Sequence, residues 1–434
     1  MLFFGKKRSI ALGIDINSYS IEVLAISDNR DIVAYERVPV REGVIRNGAI
    51  QKPDVLKITL DQALAKIHAR TGALSGMSVI ANIPDQQTYT HYIDVPVHVT
   101  GADLTEYVRK EAETIVPLEA GDMTATYITL EAPQRHQASK QVLFMGVRKD
   151  VTRTIMEVLR AVELRHIMLD AESLALMRSL LPKDSKDTVM ILDGGSETSA
   201  MHIFEGRSLP MVSVAYPEGG VQATRRIADT LNLSFEEAEK MKCAFGLLKA
   251  PHPVSESEPA PSSHEEGTGQ QENTADVVSS VLHAWYQLML SDVEKAIGFY
   301  ETQHQKRVSR IILSGGAALL PGVAQYLTAW LGRPVRVGNP LVSIRNAELL
   351  GKEKPSIVYA TVIGLALRGV EGGVIGADFE HGTITETKQR FFNKRRAGVS
   401  TGIIIGITII IIILVIYGIF NFFGAEEALR YEKQ

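Results

Sequence analysis

The feature that most constrains this chain is a pattern it uses twice. Residues 9–16 (SIALGIDI) form an apolar run that reaches Asp15 and enters a polar turn, and a second apolar run follows at 21–26. That is the pattern of strand, turn and strand. Residues 189–192 repeat it: the run ends in Asp193, passes through Gly194-Gly195-Ser196-Glu197 and leads into another strand at 198–204. An aspartate closing a buried strand ahead of a turn of small hydroxyl residues can offer N–H groups and hydroxyls to phosphate oxygens and hold a cation through water. One such turn is equally an Asp closing an ordinary hairpin. Two on similar halves of a chain can face one another across a phosphate chain. A third element, the strand 310–313 running into Ser314, Gly315 and Gly316 and then a helix at 322–331, lets a flat ring or a sugar approach bare backbone.

Strands and helices mix from the outset. Leu56, Leu60, Leu64 and Ile67 give a helix at 55–71, followed by a strand at 78–83. Segments 92–97, 104–116, 141–147 and 151–162 form an α+β block with its own pattern, and helices are expected at 220–231 and 235–245. Residues 251–276, rich in Pro, Ser, Glu, Gly and Gln, read as a disordered surface loop, since they carry no apolar cluster to offset ordering entropy. A long helix at 277–303 and a last one at 357–367 close the globular part.

Residues 397–425 contain no charge. About 20 apolar residues cross the roughly 30 Å of a bilayer core, so a membrane helix is expected at 399–423. Lys388, Arg390, Lys394, Arg395 and Arg396 precede it and a mixed tail follows at 424–434, which by the positive-inside rule places 1–396 in the cytoplasm. At the other end four apolar residues precede Lys6-Lys7-Arg8, the reverse of a secretory signal. With 46 Lys and Arg against 50 Asp and Glu, the net charge of −4 is too near neutral for a nucleic-acid binder. The single cysteine, Cys243, excludes an intrachain disulfide and any cysteine-built metal cluster.

The three motifs resemble the first phosphate, second phosphate and adenosine motifs of the actin-like ATPase superfamily. Within it the chain resembles the PilM family of type IV pilus assembly, which is related to FtsA and to the cytoplasmic domain of GspL. Further matching segments are Gly5-Lys6-Lys7, 111–119 (EAETIVPLE), 170–176 (DAESLAL), Gly219-Gly220 with 236–242 (EEAEKMK), Pro321-Gly322, Pro334-Val335 and Asn339-Pro340. The resemblance runs from residue 2 to about residue 367.

It implies a two-lobed, duplicated ribonuclease H-like α/β fold with a small α+β insertion and, here, an added C-terminal membrane helix. The expected organisation is a first lobe at 1–81, the insertion at 82–165, a return to the first lobe at 166–186, a second lobe at 187–368 and a basic linker at 369–398. It implies ATP and Mg²⁺ as cofactors, Asp15 and Asp193 flanking the metal through water, and Asn17, Ser18, Ser20, Gly195, Ser196, Thr198, Gly220, Gly315 and Gly316 around the nucleotide. Glu172 falls where relatives position a water in line with the terminal phosphate; as a bare residue it is equally a carboxylate favoured at a helix start. Glu239 and Lys242 match positions that line adenine and ribose; three apart on one helix face, they are otherwise a solvated pair. Asn17 stands where the family carries glycine and Tyr19 is bulky for this turn. Asn tolerates left-handed backbone, yet both crowd the phosphate path, so ATP binding is expected and hydrolysis is left open. The implied partner is the cytoplasmic tail of a PilN-like inner-membrane protein, beside other pilus platform proteins, self-association and the membrane. An FtsA-like division protein, a nucleotide-independent scaffold and a sugar-kinase-like enzyme stand as alternatives.

Overall fold

In the computed structural model, which describes residues 10–74, 76–117, 120–129, 138–247, 269–351, 356–371, 375–379 and 385–386, both aspartate-ended runs are central strands. In chain order the elements are β1 (Ile10–Ile16), β2 (Ser20–Ser27), β3 (Ile32–Pro39), a short hairpin of β4 (Ile45–Arg46) and β5 (Ala49–Ile50), α1 (Pro53–Thr71) and β6 (Ser78–Ile83). Then come β7 (Thr88–Pro96), α2 (Gly101–Ile115), β8 (Met123–Thr129), β9 (Ser139–Arg148), α3 (Lys149–Ala161), β10 (Ile167–Ala171) and α4 (Glu172–Leu180). The second half holds β11 (Thr188–Gly194), β12 (Ser199–Glu205), β13 (Pro210–Tyr216), α5 (Gly220–Leu231), α6 (Phe235–Phe245) and α7 (Gly269–His304). It closes with β14 (Arg310–Ser314), α8 (Val323–Leu331), β15 (Val335–Val337), α9 (Glu348–Gly351), α10 (Ala360–Val370) and β16 (Thr385–Glu386).

The first sheet runs β10-β6-β1-β2-β3 and the second β13-β12-β11-β14-β15. Each has an antiparallel three-strand meander whose first strand is flanked on its other side by two parallel strands. The two sheets are therefore the same unit used twice, and each aspartate ends the strand where meander and parallel half meet. Strands β1 and β11 read as continuous apolar runs because both faces are covered. Between β6 and β10 lie β7, β8 and β9 of a separate sheet, in the order β16-β8-β9-β7, which packs Val95, Tyr127 and Phe144 against the Leu104, Val108 and Ala112 face of α2, a core of its own.

Three expectations need correction. Helix α10 lies on the first sheet, with Val362, Leu365 and Ala366 packed on Ala11, Leu24 and Ile80, so the end of the span assigned to the second lobe, 187–368, returns to the first. The reason is the largely apolar composition of α10, interrupted only by Thr361 and Arg368, which suits a helix buried between a sheet and α4. The linker expected at 369–398 is in part ordered: the Ala377 amide donates to Asp170 Oδ1 at 2.8 Å, Phe379 N–H reaches Leu169 O at 3.2 Å, and β16 pairs with β8. Buried Arg178 secures that segment by donating to Gly364 O at 2.8 Å and Ile375 O at 2.7 Å while it pairs with Asp170. Finally, α7 begins at Gly269, so 269–276 of the expected disordered loop are helical. Gln and Glu are good helix formers, and extending an existing helix costs little once it is nucleated.

The rest of that loop, the N-terminal Gly5-Lys6-Lys7, the basic patch and the membrane helix expected at 399–423 lie outside the described residues. Among the described residues no helix is long and apolar enough to cross a membrane.

The close approach of α10 to α4 depends on Gly364, where a Cβ would lie 1.8 Å from Ala175 O. Gly364→Ala is therefore expected to destabilise the fold by about 3 kcal/mol or more, read as a lowered urea midpoint. A midpoint within error of wild type would mean that this packing is not as described.

Candidate functional site

The turn after β1 is built by Asn17. Its Oδ1 accepts the Tyr19 and Ser20 amides at 3.0 Å each, and its backbone N–H donates to Ser20 O at 3.1 Å. Asn17 does not use the left-handed backbone that Asn tolerates; its side chain closes the turn by an Asx-type bond instead. The matching turn after β11 is backbone-closed: Gly195 N–H donates to Thr198 O at 3.0 Å, and a Cβ on Gly195 would lie 2.6 Å from that oxygen. The first amides of α5 then bind this turn, Gly220 to Gly195 O at 3.0 Å and Val221 to Ser196 O at 2.8 Å. Across the cleft Ser18 Oγ and Ser196 Oγ meet at 2.9 Å, and the Asn47 amide donates to Glu197 Oε2 at 2.9 Å. The two turns face one another.

They border a cavity of about 700 Å³. All fourteen residues expected at the site line it: Asp15, Asn17, Ser18, Ser20, Glu172, Asp193, Gly195, Ser196, Thr198, Gly220, Glu239, Lys242, Gly315 and Gly316. Gly315, at φ +75°, could carry no side chain without meeting Gly194 O at 2.4 Å, while space opens beside Gly316. Lys242 is not the solvated side chain its sequence position allowed. It is buried, and Nζ reaches Gly220 O at 3.0 Å, Thr224 Oγ1 at 2.7 Å and Glu239 Oε2 at 2.7 Å, which fastens α6 to the start of α5. Burial would raise the Glu239 carboxyl, but the bonds from Lys242 and Thr224 outweigh it and hold it low.

The floor of the cavity is acidic. Burial first, then the charges of Glu22 and Asp193, push Asp15 well above the ordinary carboxylate range against the pull of Arg37. Burial likewise raises Asp193, and it raises Glu172 strongly with help from Asp85, Asp15 and Asp193. Asp15 Oδ1 is buried without a hydrogen-bond partner. An orphaned carboxylate oxygen beside a second carboxylate fits a hydrated cation. Among the described residues no three His, Cys, Asp or Glu side chains converge tightly enough to hold a metal ion, so Asp15 and Asp193 would leave most of a magnesium ion's coordination to water and phosphate.

Two features escaped the sequence. Glu22, directly opposite Asp15 in the ladder, is buried and accepts from Asn17 Nδ2 at 3.0 Å, Ser20 Oγ at 2.6 Å and Arg37 Nε at 2.6 Å. Strand pairing could have found it, because it follows Asp15 at the interval at which Ala200 follows Asp193. The other is a buried bond between lobes: His202 on β12 shares a hydrogen bond with Asp85 Oδ2 at 2.9 Å and, through its other nitrogen, with Ser213 Oγ at 2.9 Å. The Asp85 amide in turn donates to Glu172 Oε2 at 3.2 Å. With 117 positions between them, no local signal joins Asp85 to His202.

A family model described as type IV pilus assembly protein PilM matches residues 13–250, and one described as cell division protein FtsA matches residues 190–364. The cell division protein FtsA of Buchnera aphidicola subsp. Baizongia pistaciae (strain Bp) is 27% identical over 222 residues, 49% of this chain. The chain spans about half, 52%, of that curated relative. A solved PilM-PilN type IV pilus biogenesis complex superposes with a TM-score of 0.68 at 23% identity, over 83% of this chain and 98% of that one, a likeness of fold.

Two outcomes follow from the buried charges. Because folding raises the Asp15 pKa, its stabilising contribution is complete below the ordinary carboxylate pKa and is lost as pH rises toward the raised value. Asp15→Asn should therefore unfold at higher urea than wild type at about pH 8, and the gap should close toward about pH 4. A gap that widens on acidification would contradict this. Asp85→Ala leaves the buried His202 nitrogen without its partner and is expected to cost about 1–3 kcal/mol by urea unfolding.

Proposed function

This chain belongs to the type IV pilus assembly protein PilM family, whose model matches more than half of it, and on that premise we propose that it is a nucleotide-holding scaffold of a pilus or related type II secretion platform. The observation that carries the reading is the pair of turns whose Ser18 and Ser196 hydroxyls touch across an acidic cavity, each following an aspartate that ends a central strand, Asp15 buried and Asp193 half-buried. The ligand proposed is ATP. Ser18, Ser196 and the amides of their turns would take its phosphates, and the α6 face around Glu239 with Gly315 and Gly316 would border its base and sugar. Magnesium, when bound beside Asp15 and Asp193, would neutralise phosphate charge in a site that otherwise repels it. Glu172, at the first turn of α4 and accepting from the Asp85 amide, would orient a water.

The charge-free stretch at 399–423 is proposed to fix the scaffold to the inner membrane, with the folded part on the cytoplasmic side. The partner proposed is a PilN-like protein, on the strength of the solved PilM-PilN complex of the same fold. A division role like that of FtsA is less favoured. The PilM family model spans both aspartate turns and the insertion, whereas the FtsA model takes in only the second half of the chain.

Isothermal calorimetry on the full-length protein in detergent micelles tests the reading. Binding of ATP that requires Mg²⁺ and is lost in the Asp15→Ala, Asp193→Ala double variant is the expected result. A folded wild type that does not bind ATP would remove nucleotide from the account.

A further inference from the structure

The duplicated sheets serve as controls for one another. In the second lobe Asp193 pairs with Ala200 on β12, and Ala200 pairs with Ala215 on β13. In the first lobe the same three positions hold Asp15, Glu22 on β2 and Arg37 on β3. The unit folds with two alanines there, so the charge pair is an addition to the fold. It is a costly one, since Glu22 is 1% exposed and its carboxyl is raised by burial against the pull of Arg37.

The cavity needs a cation for an anionic ligand, and four basic residues line it among the described residues: Arg37, Arg225, Lys240 and Lys242. Lys242 has its three donors committed to Gly220, Thr224 and Glu239. Arg225 is an exposed side chain on α5, 3.5 Å from Glu42, and Lys240 is exposed on α6. Arg37 alone of the four bonds to the first aspartate turn, through Nε to Ser20 Oγ at 3.1 Å and to Glu22 Oε1 at 2.6 Å. Its guanidinium carbon sits 5.5 Å from the ring centre of Tyr19, in cation–π range. With Nε so anchored, neither Nη group donates to a described residue, which leaves the fork of the guanidinium for an oxyanion.

We propose that Arg37 is the phosphate-reading residue of the cleft and that Glu22 and Tyr19 are the positioning residues that aim it. The ligand class is then a nucleoside polyphosphate rather than a nucleoside. The proposal rests on the nucleotide reading above and adds the group that discriminates on phosphate.

The test is calorimetry on the full-length chain with MgATP and, separately, with adenosine, on wild type and on Arg37→Gln, Arg37→Lys and Lys57→Gln, the last on α1 and not among the cavity-lining residues. Expected are a loss of ATP affinity of about tenfold or more in Arg37→Gln with adenosine affinity changed by less than about twofold, partial recovery in Arg37→Lys, and no change in Lys57→Gln. An ATP affinity in Arg37→Gln within about twofold of wild type would overturn the proposal, as would an equal loss of adenosine and ATP, which marks damage to the cleft. A wild type that binds adenosine but not ATP overturns it as well. A wild type that binds neither removes the nucleotide reading and the proposal together, an outcome that the wild-type titrations alone identify.

Discussion

Asp15, buried, and Asp193, half-buried, are two carboxylates at the ends of equivalent strands, and the cleft is arranged around that conflict. Neither has a lysine or arginine as its direct partner among the described residues, and Asp15 keeps an oxygen with no hydrogen bond at all. A fold selected for stability alone would replace them, because an unpaired buried carboxylate is among the more expensive groups a core can hold. Their retention is intelligible if the missing charge arrives with a ligand. Phosphates bring an excess of negative charge and a cation to balance it, and the turns on either side present the Ser18 and Ser196 hydroxyls to the cavity.

The cleft is held in register by few but well-placed bonds. Ser18 to Ser196, Asn47 to Glu197 and His202 to Asp85 each cross from one half of the duplicated unit to the other. The first two lie at the rim, where a ligand between the turns would have to displace or supplement them. The third is buried and touches Glu172 through the Asp85 amide, so a change in the spacing of the lobes would be felt at that carboxylate. Arg178, Asp170 and Arg368 bind residues 375–379 to the first lobe. Residues 375–379 are thus tied to the lobe that carries Asp15.

Much of this was legible in the residues. Apolar runs ending in Asp15 and Asp193 marked the two central strands, because a strand covered on both faces cannot alternate, and Gly315 and Gly316 marked the third turn. What was not legible is what pairs over long distances. The return of α10 to the first sheet depends on a fit between Gly364 and Ala175 that no local pattern encodes. His202 reads as an ordinary strand residue until Asp85 is placed opposite it. Lys242 lines the cavity, and only the structure shows its charge absorbed by Glu239 and by the first turn of α5. Asn17 looked like a substitute for a flexible glycine and proves to be a side-chain cap of its own turn.

The central claim is that the facing turns at residues 16–20 and 194–199 form one phosphate site. Amide hydrogen exchange of the full-length protein with and without MgATP measures this at the turns themselves. The account predicts that exchange slows in both turns together, and that the Asp15→Ala, Asp193→Ala variant shows no such change. Slowing confined to one turn, or to neither while ATP is bound elsewhere, would contradict it.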